Sequence, residues 1–471
     1  MKKFVLNFWL LLIPAISFSL PVDLNQVIAI VAGQIVKSGK SGEFAIKSII
    51  PAQRGSETLF YSVELSPVGY LIVAADDNLP PVIAYSFENN LDSEGKLVEI
   101  LVADISLRLA AVEKLPAELL LMRKNLWREL AGGISIRDIR LQQWPPAGTT
   151  STGGWLETNW TQNSPYNLMV PIDPVTSTRS YVGCPATAMA QVLNFHQTTN
   201  NTQFTDGDDY YHNYAGRTFW IDDDYDLHGF PPFPELNTYL DTLSAHYANN
   251  ITLTNQDKAA ISFACGTAAR QVYSSAGSGT FSVNQAYDAY IRFGCNTAEL
   301  LQAGDTSLYS RLAQNMKDSL PAHLALVDSA WSTGHNIVVD GYNTNNYFHV
   351  NFGWGGSSNG WYLIPEEIPY SLTVIEGLIV DILKDSPVAV PEPEEASTFT
   401  IYPNPAKEFV TIETIENESV LTISDMDGKT VFTSTNSRGK LQVDVSTFTQ
   451  GVYVVKMQGS DFVTGRLIVV R

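Results

Sequence analysis

Two short segments carry residues whose type and setting suit nucleophilic chemistry, and the first centres on a cysteine. Gly183-Cys184-Pro185-Ala186-Thr187-Ala188-Met189-Ala190-Gln191 reads as a helix that starts at the cysteine. Pro185 fits the first helical turn, where a missing N–H costs nothing. Ala186, Met189, Ala190 and Leu193 then form one apolar stripe, so that face is buried. At a helix start the unpaired N–H groups and the positive end of the dipole favour a thiolate. Gly183 lets another backbone approach the sulfur closely. A buried structural cysteine is the competing reading, and the helix-start argument alone leaves both open.

The second segment is Thr333-Gly334-His335-Asn336-Ile337-Val338-Val339-Asp340-Gly341-Tyr342-Asn343, followed by a turn and Phe348-His349-Val350-Asn351-Phe352-Gly353-Trp354. Two β-runs flank a turn rich in Asn, so this is a hairpin. A turn centred on Asn343 sets His335 opposite Asn351, and a slip of one residue puts Phe352 there instead. An amide beside an imidazole would fix the tautomer that a nucleophile's base needs. A satisfied strand histidine is the plainer alternative, and spacing alone does not choose. His349 is the rival base, although a mid-strand position suits a packing role.

The elements around these segments set their context. A formal charge of −20 argues against nucleic acid or an anionic membrane as partner. Met1-Lys2-Lys3, an apolar run from Phe4 to Ile16 and Ser17-Phe18-Ser19 describe a secretory signal peptide over residues 1–19. Export permits disulfides, yet only Cys184, Cys265 and Cys295 are present, so at least one thiol stays free. Cys265 reads as a core residue, and its pairing with Cys295 is left open. Phe60 to Val63 and Tyr70 to Ala74 read as strands, and Ile105, Leu109 and Val112 fall at helical spacing.

Trp144-Pro145-Pro146-Ala147-Gly148, continuing to Gly154, reads as an exposed, cleavable linker. Asp385 to Glu395 is an extended Pro/Glu linker. Beyond it, alternating runs at Phe409, Val420, Leu441, Val452 and Leu467, with Asp427-Gly428 as a hairpin signal, imply a small β-sandwich. No metal cluster stands out. Asp206-Gly207-Asp208-Asp209 and Asp222-Asp223-Asp224 read as solvated acidic loops, with calcium as the lesser alternative.

Gly183-Cys184 with Ala186-Thr187-Ala188-Met189-Ala190-Gln191, Gly334-His335 and His349-Val350-Asn351-Phe352-Gly353-Trp354-Gly355-Gly356 together resemble the streptopain (C10) family of cysteine peptidases. Gln162-Asn163-Ser164-Pro165-Tyr166-Asn167-Leu168 is similar to that family's mature start, and Gly69 to Asp76 with Ala84-Tyr85-Ser86 to its inhibitory propeptide. The resemblance implies an α+β chain of papain-like fold, preceded by an α+β propeptide and followed by an all-β sandwich. Its segments would be a propeptide over 20–145, a catalytic domain over 146–380, a linker over 381–396 and a sandwich over 397–471. Tyr402-Pro403-Asn404-Pro405, Asp427-Gly428-Lys429 and Gly451-Val452-Tyr453 resemble the type IX secretion sorting domain. A carbohydrate- or surface-binding sandwich is its alternative.

By the same resemblance Cys184 is the nucleophile and His335 the base. Gln162 and the Cys184 amide would form the oxyanion hole, Asn351 would orient His335, and Trp354 would shield that contact. Phe352 and Asn336 depart from the family pattern, and Ser274-Ser275-Ala276-Gly277-Ser278-Gly279 resembles a cleft wall or is a plain flexible loop. The implied partners are protein substrates, the chain's own propeptide and the secretion machinery, with no cofactor. The product would be secreted or cell-attached, after passage through the periplasm and outer membrane. An acyltransferase or amidase with the same Cys/His pair, and a silent surface adhesin, are the rival functions.

Overall fold

The computed structural model describes residues 22–92, 96–132, 141–302, 304–327, 334–364, 375–383, 399–414, 419–425, 429–436, 439–458 and 462–471. The signal-peptide segment, the Pro/Glu linker and the Asp427-Gly428 turn lie outside them. The chain divides into two compact units, Met1–Lys384 and Asp385–Arg471.

In the first unit, helix α1 (Leu24–Lys37) starts at a capping box in which Asp23 and Gln26 satisfy each other's amides. It leads into an antiparallel meander of β1 (Ala45–Arg54), β2 (Glu57–Ser66), β3 (Tyr70–Ala74) and β4 (Val82–Ser86). β3 and β4 are buried at every position, which is why their sequences run apolar without alternation. Helices α2 (Lys96–Ala111) and α3 (Ala117–Ala131) follow, and Val112 opens a separate 3-10 turn rather than continuing α2. Strand β5 (Gln143–Trp144) comes next.

The central segment is helical first and extended later. Helix α4 (Cys184–Phe195) precedes a hairpin of β6 (Tyr210–Tyr214) and β7 (Arg217–Ile221). Helices α5 (Tyr225–His228), α6 (Phe233–Ala248), α7 (Asn255–Ala268) and α8 (Val283–Arg292) follow. Then come β8 (Glu299–Gln302), α9 (Leu308–Lys317), β9 (Ala322–Val327), β10 (Gly334–Asn343), β11 (Phe348–Asn351), β12 (Gly360–Tyr362) and β13 (Ile375–Val380).

These strands join the N-terminal meander in one antiparallel sheet, ordered β1-β2-β3-β4-β12-β11-β10-β9-β13-β8, with β5 pairing β10. The junction is the pairing of Trp361 with Tyr85 and Tyr362 with Ala84. The N-terminal segment is therefore bonded edge to edge into the sheet that carries His335. Side chains alternate across β10: Ile337 and Val339 belong to the core shared with β1–β4, whereas Val338 belongs to the core around α4. That second core holds Ala186, Met189, Ala190 and Leu193 and fixes the helix bearing Cys184 against the sheet.

The β10–β11 register differs from the sequence expectation. Asn351 pairs with Val338, and His335 pairs with Leu326 of β9, so His335 and Asn351 are not opposite. The reason is turn chemistry. The Asn343 side-chain oxygen accepts the amides of Asn345 and Tyr347, which makes Asn343 the first residue of the turn rather than its middle. A register shift between Val339 and Gly341 adds to the offset.

The Trp144–Gly154 stretch is also less loose than its composition suggests. Trp144 is paired to Tyr342 and stacks on its ring, and Thr152 and Gly154 are buried, so exposure concentrates in Pro146 to Thr149 and Ser151. In the second unit, β14 (Phe399–Tyr402), β15 (Phe409–Thr414) and β18 (Gly439–Asp444) form one sheet. β16 (Ser419–Asp425), β17 (Thr430–Asn436), β19 (Gly451–Gln458) and β20 (Phe462–Val469) form another. Val410, Ile412, Leu421, Ile423, Val455 and Leu467 fill their common core, as a small all-β sandwich requires.

Candidate active site

Cys184 is the first residue of α4, with Pro185 behind it and Gly183 as its N-cap at φ 90°. A Cβ on Gly183 would sit 2.8 Å from the Gln271 side-chain oxygen and 3.2 Å from the Ser278 backbone, so only glycine fits. The strand-like approach to the cysteine is held from both sides. Val182 donates its amide to the Gln162 carbonyl at 3.0 Å, and Tyr181 donates to the Ser274 carbonyl at 3.2 Å. Gln271 donates from its side chain to the Val182 carbonyl. Gln162 thus lies alongside the residues that lead into Cys184.

The thiols divide by burial. Cys184 is half-buried, whereas Cys265 and Cys295 are buried, and none of the three is in a disulfide. Burial pushes the Cys295 thiol up to about 12 and raises the Cys265 thiol as well. Neither thiol is therefore suited to ionise at ordinary pH.

His335, at the start of β10, is buried beneath aromatic rings. Trp354 stacks on it with ring centres 4.6 Å apart, and Phe352 lies beyond in a nearly parallel plane at 6.2 Å. Its Nε2 lies 2.9 Å from the Phe352 carbonyl oxygen. A carbonyl only accepts, so Nε2 must carry the hydrogen and a neutral ring has Nδ1 as its basic nitrogen. The orienting acceptor is therefore a backbone carbonyl, where the sequence pointed to the Asn351 amide.

Asn351 acts one step away. Its side-chain oxygen accepts the Gly353 amide at 3.0 Å, and its nitrogen donates to the Thr158 carbonyl at 2.8 Å. The Phe352 amide is in turn held by the Asn359 side chain at 3.0 Å. Both asparagines therefore fix the turn that presents the Phe352 carbonyl. Sequence spacing could not reveal a backbone acceptor, since no side chain marks it.

On the opposite face of β10, the Asn336 side-chain nitrogen lies 3.9 Å from the Cys184 sulfur. Asn336 thus joins the site, although the sequence offered it only as a departure. His349 is enclosed elsewhere: its Nδ1 meets the buried Asp340 carboxylate at 2.6 Å, Trp361 packs edge-on, and Gly154 lies against both.

The Ser274–Gly279 loop is pinned by hydrogen bonds. Gly279 and Val272 exchange backbone hydrogen bonds, and the Ser275 amide and hydroxyl both donate to Asp173 at 2.8 and 2.7 Å. Arg217 of β7 and the Val175 amide donate to the same buried carboxylate. Burial acts to raise the Asp173 carboxyl, but the bonds from Ser275, Val175 and Arg217 outweigh it and hold it well below the usual range. Sequence reasoning passed over Asp173, although Asp-Pro before a Thr/Ser run is a turn signal.

The acidic runs serve local structure. Asp208 pairs Arg292, Asp222 accepts the Phe233 amide, and Asp224 accepts the Trp220 amide. Among the described residues no group of acids, histidines and cysteines is arranged to hold a metal.

A half-buried thiol on a helix start thus packs against an antiparallel sheet that carries an aromatic-covered histidine. Residues 160–362 match the Peptidase C10 family. Residues 34–103 match the Spi protease inhibitor family, and residues 400–471 the secretion system C-terminal sorting domain. The tail match assigns the chain to type IX export, to the cell surface or beyond.

The thiol protease/hemagglutinin PrtT of Porphyromonas gingivalis is 24% identical over 360 residues, covering 71% of this chain and 37% of that relative. Streptopain of Streptococcus pyogenes serotype M1 is 25% identical over 335 residues, covering 66% of this chain and 75% of streptopain. A fragment of Prevotella intermedia prointerpain A superposes with a TM-score of 0.49 at 19% identity, over 72% of this chain and 99% of the fragment.

Proposed function

We propose that the chain is a latent endopeptidase that cleaves protein substrates through a Cys184 thiolate and His335. The observation that supports this most is the hydrogen bond from His335 Nε2 to the Phe352 carbonyl, since it reserves Nδ1 for proton transfer. In this reading the thiolate attacks the peptide carbonyl carbon and the protonated ring gives its Nδ1 proton to the departing amine. Water then attacks the thioester, losing a proton to Nδ1, and the thiolate is released with the new carboxyl group. Gln162 and the Cys184 amide stabilise the oxyanions of both steps; one such donor is worth ~10²–10³ in rate. Trp354 and Phe352 keep water from the Nε2 contact.

The N-terminal meander is the inhibitory segment in this reading, held to β12 through β4. Its removal needs a cut in the exposed Pro146–Ser151 turn, after export directed by the N-terminal signal segment. The test is to incubate wild type and Cys184→Ala chains without residues 1–19 and to follow intact mass, then casein hydrolysis. Shortening of the wild type alone near residues 146–151, with casein cleavage blocked by a thiol reagent, is the expected result. If both chains stay intact, trace protease is used to remove the N-terminal segment. Silence toward casein after that removal sinks the peptidase reading in favour of a surface adhesin.

A further inference from the structure

A file of three polar side chains, two of them fully buried, runs from the helical core to the sulfur of Cys184. Tyr290 of α8 places its hydroxyl 3.2 Å from His323 Nδ1, and His323 Nε2 lies 2.7 Å from the Asn336 side-chain oxygen. The Asn336 nitrogen then lies 3.9 Å from the cysteine sulfur. Tyr290 and His323 are fully buried, in a core that is otherwise mostly apolar. We propose that this file is a second polar support for the nucleophile, with Asn336 as a catalytic residue that donates to the thiolate and His323 and Tyr290 as positioning residues. The proposal rests on Cys184 being the nucleophile, as above.

Hydrogen-bond polarity sets the direction of each link. A thiolate can only accept, so Asn336 must present its NH₂ to the sulfur and turn its oxygen toward His323. His323 must then donate from Nε2, which leaves Nδ1 as an acceptor, and the Tyr290 hydroxyl is the donor placed to fill it. Each link has one consistent direction once the sulfur is charged. Burial pushes His323 down to about 4, so the ring stays neutral and keeps this one-donor, one-acceptor form at ordinary pH.

The ring is also fixed in place. His323 pairs with Val338 of β10 and Ile379 of β13, and Tyr290 meets it edge-on at 5.7 Å between ring centres. Beside Tyr290 lie the Cys265 and Cys295 thiols, both raised by burial and uncharged. On β10 itself the neighbouring titratable group is His335. An amide held from behind in this way costs no reordering when charge gathers on the sulfur.

The test is the pH dependence of iodoacetamide alkylation at Cys184 in the full chain, resolved by mass spectrometry against the buried Cys265 and Cys295. Asn336→Ala and the bulkier Asn336→Leu should both move the thiolate limb to higher pH. Alkylation below the midpoint should slow by roughly threefold to tenfold, the span of one hydrogen bond. Tyr290→Phe should move it the same way by about twofold. Profiles of Asn336→Leu and Tyr290→Phe that superimpose on the wild type overturn the proposal. If the Asn336 variants do not fold, an unmoved Tyr290→Phe profile overturns it alone. Alkylation requires no proteolysis, so a shifted profile beside an enzyme still silent toward casein after removal of the N-terminal segment would sink the peptidase reading and leave the polar support of a reactive Cys184 standing.

Discussion

His335 and His349 lie on adjacent strands, both are buried, and both have a ring nitrogen fixed by an oxygen within 2.9 Å. Judged by these partners, His349 is the better base, because a buried Asp340 carboxylate holds it where a backbone carbonyl holds His335. Its surroundings reverse that judgement. Asp340 also accepts the Leu156 amide, and its carbonyl accepts the Trp155 amide, so the pair ties down the chain that follows the Pro146–Ser151 turn. His349 Nε2 has no hydrogen-bond partner and faces Gly153, sealed from solvent. His335 instead lies at the start of β10 under the Trp354 ring, with its Nε2 held by the Phe352 carbonyl. A carboxylate behind a buried histidine can serve structure alone.

Replacing each histidine should break the comparison most sharply. His335→Ala should fold normally and lose about 10²–10⁴ in kcat, the usual yield of a positioned acid–base group. His349→Ala should instead destabilise the unit by about 3–5 kcal/mol, because it leaves the Asp340 carboxylate buried and unpaired. Urea unfolding alongside active-site-normalised turnover separates the two. Equal turnover losses per folded molecule would abolish the distinction drawn here.

Protonation offers a second test on two other buried rings, His212 and His323. Burial holds both down to about 4, against about 6.5 in an unfolded chain. Between those values the unfolded state binds protons that the folded state refuses, so stability must fall as pH drops from about 6.5 toward 4. Each ring should cost about 2 kcal/mol at pH 5 relative to neutral pH. His212→Asn should therefore flatten the acid limb of the urea midpoint against pH. An unchanged slope would mean that the ring is not held neutral.

How much of this could be read from the chain depended on whether a side chain or the backbone did the work. Gly183-Cys184-Pro185 announced a helix start because each residue type is chosen by local geometry. The stripe of Ala186, Met189, Ala190 and Leu193 likewise announced which face is buried. The partner of His335 stayed hidden because it is a carbonyl, and because the Asn343 side chain begins the turn and displaces the register. Asp173, which clamps the Ser274–Gly279 loop, was hidden for another reason: its partners Arg217 and Ser275 are distant in sequence. The shared sheet was equally unforeseeable, since Tyr85 and Trp361 meet across most of the first unit.

The contrast between a backbone-held and a carboxylate-held ring can be sharpened at Asn359. Its side chain is the acceptor of the Phe352 amide, and it also donates to Asn159 at 3.1 Å. Asn359→Ala leaves that buried amide unsatisfied, a cost of about 1–3 kcal/mol. If the peptide rotates to recover a partner, its carbonyl leaves His335 Nε2 and the tautomer is no longer fixed. The expected result is a roughly tenfold fall in kcat with KM little changed, because the group lost is one that steadies proton transfer. Trp354→Ala should act in the same direction but more weakly, by about 1 kcal/mol, since it uncovers the Nε2 contact to water without removing it. If Trp354→Ala proves the more damaging of the two, the aromatic cover and not the Phe352 carbonyl is what holds the ring.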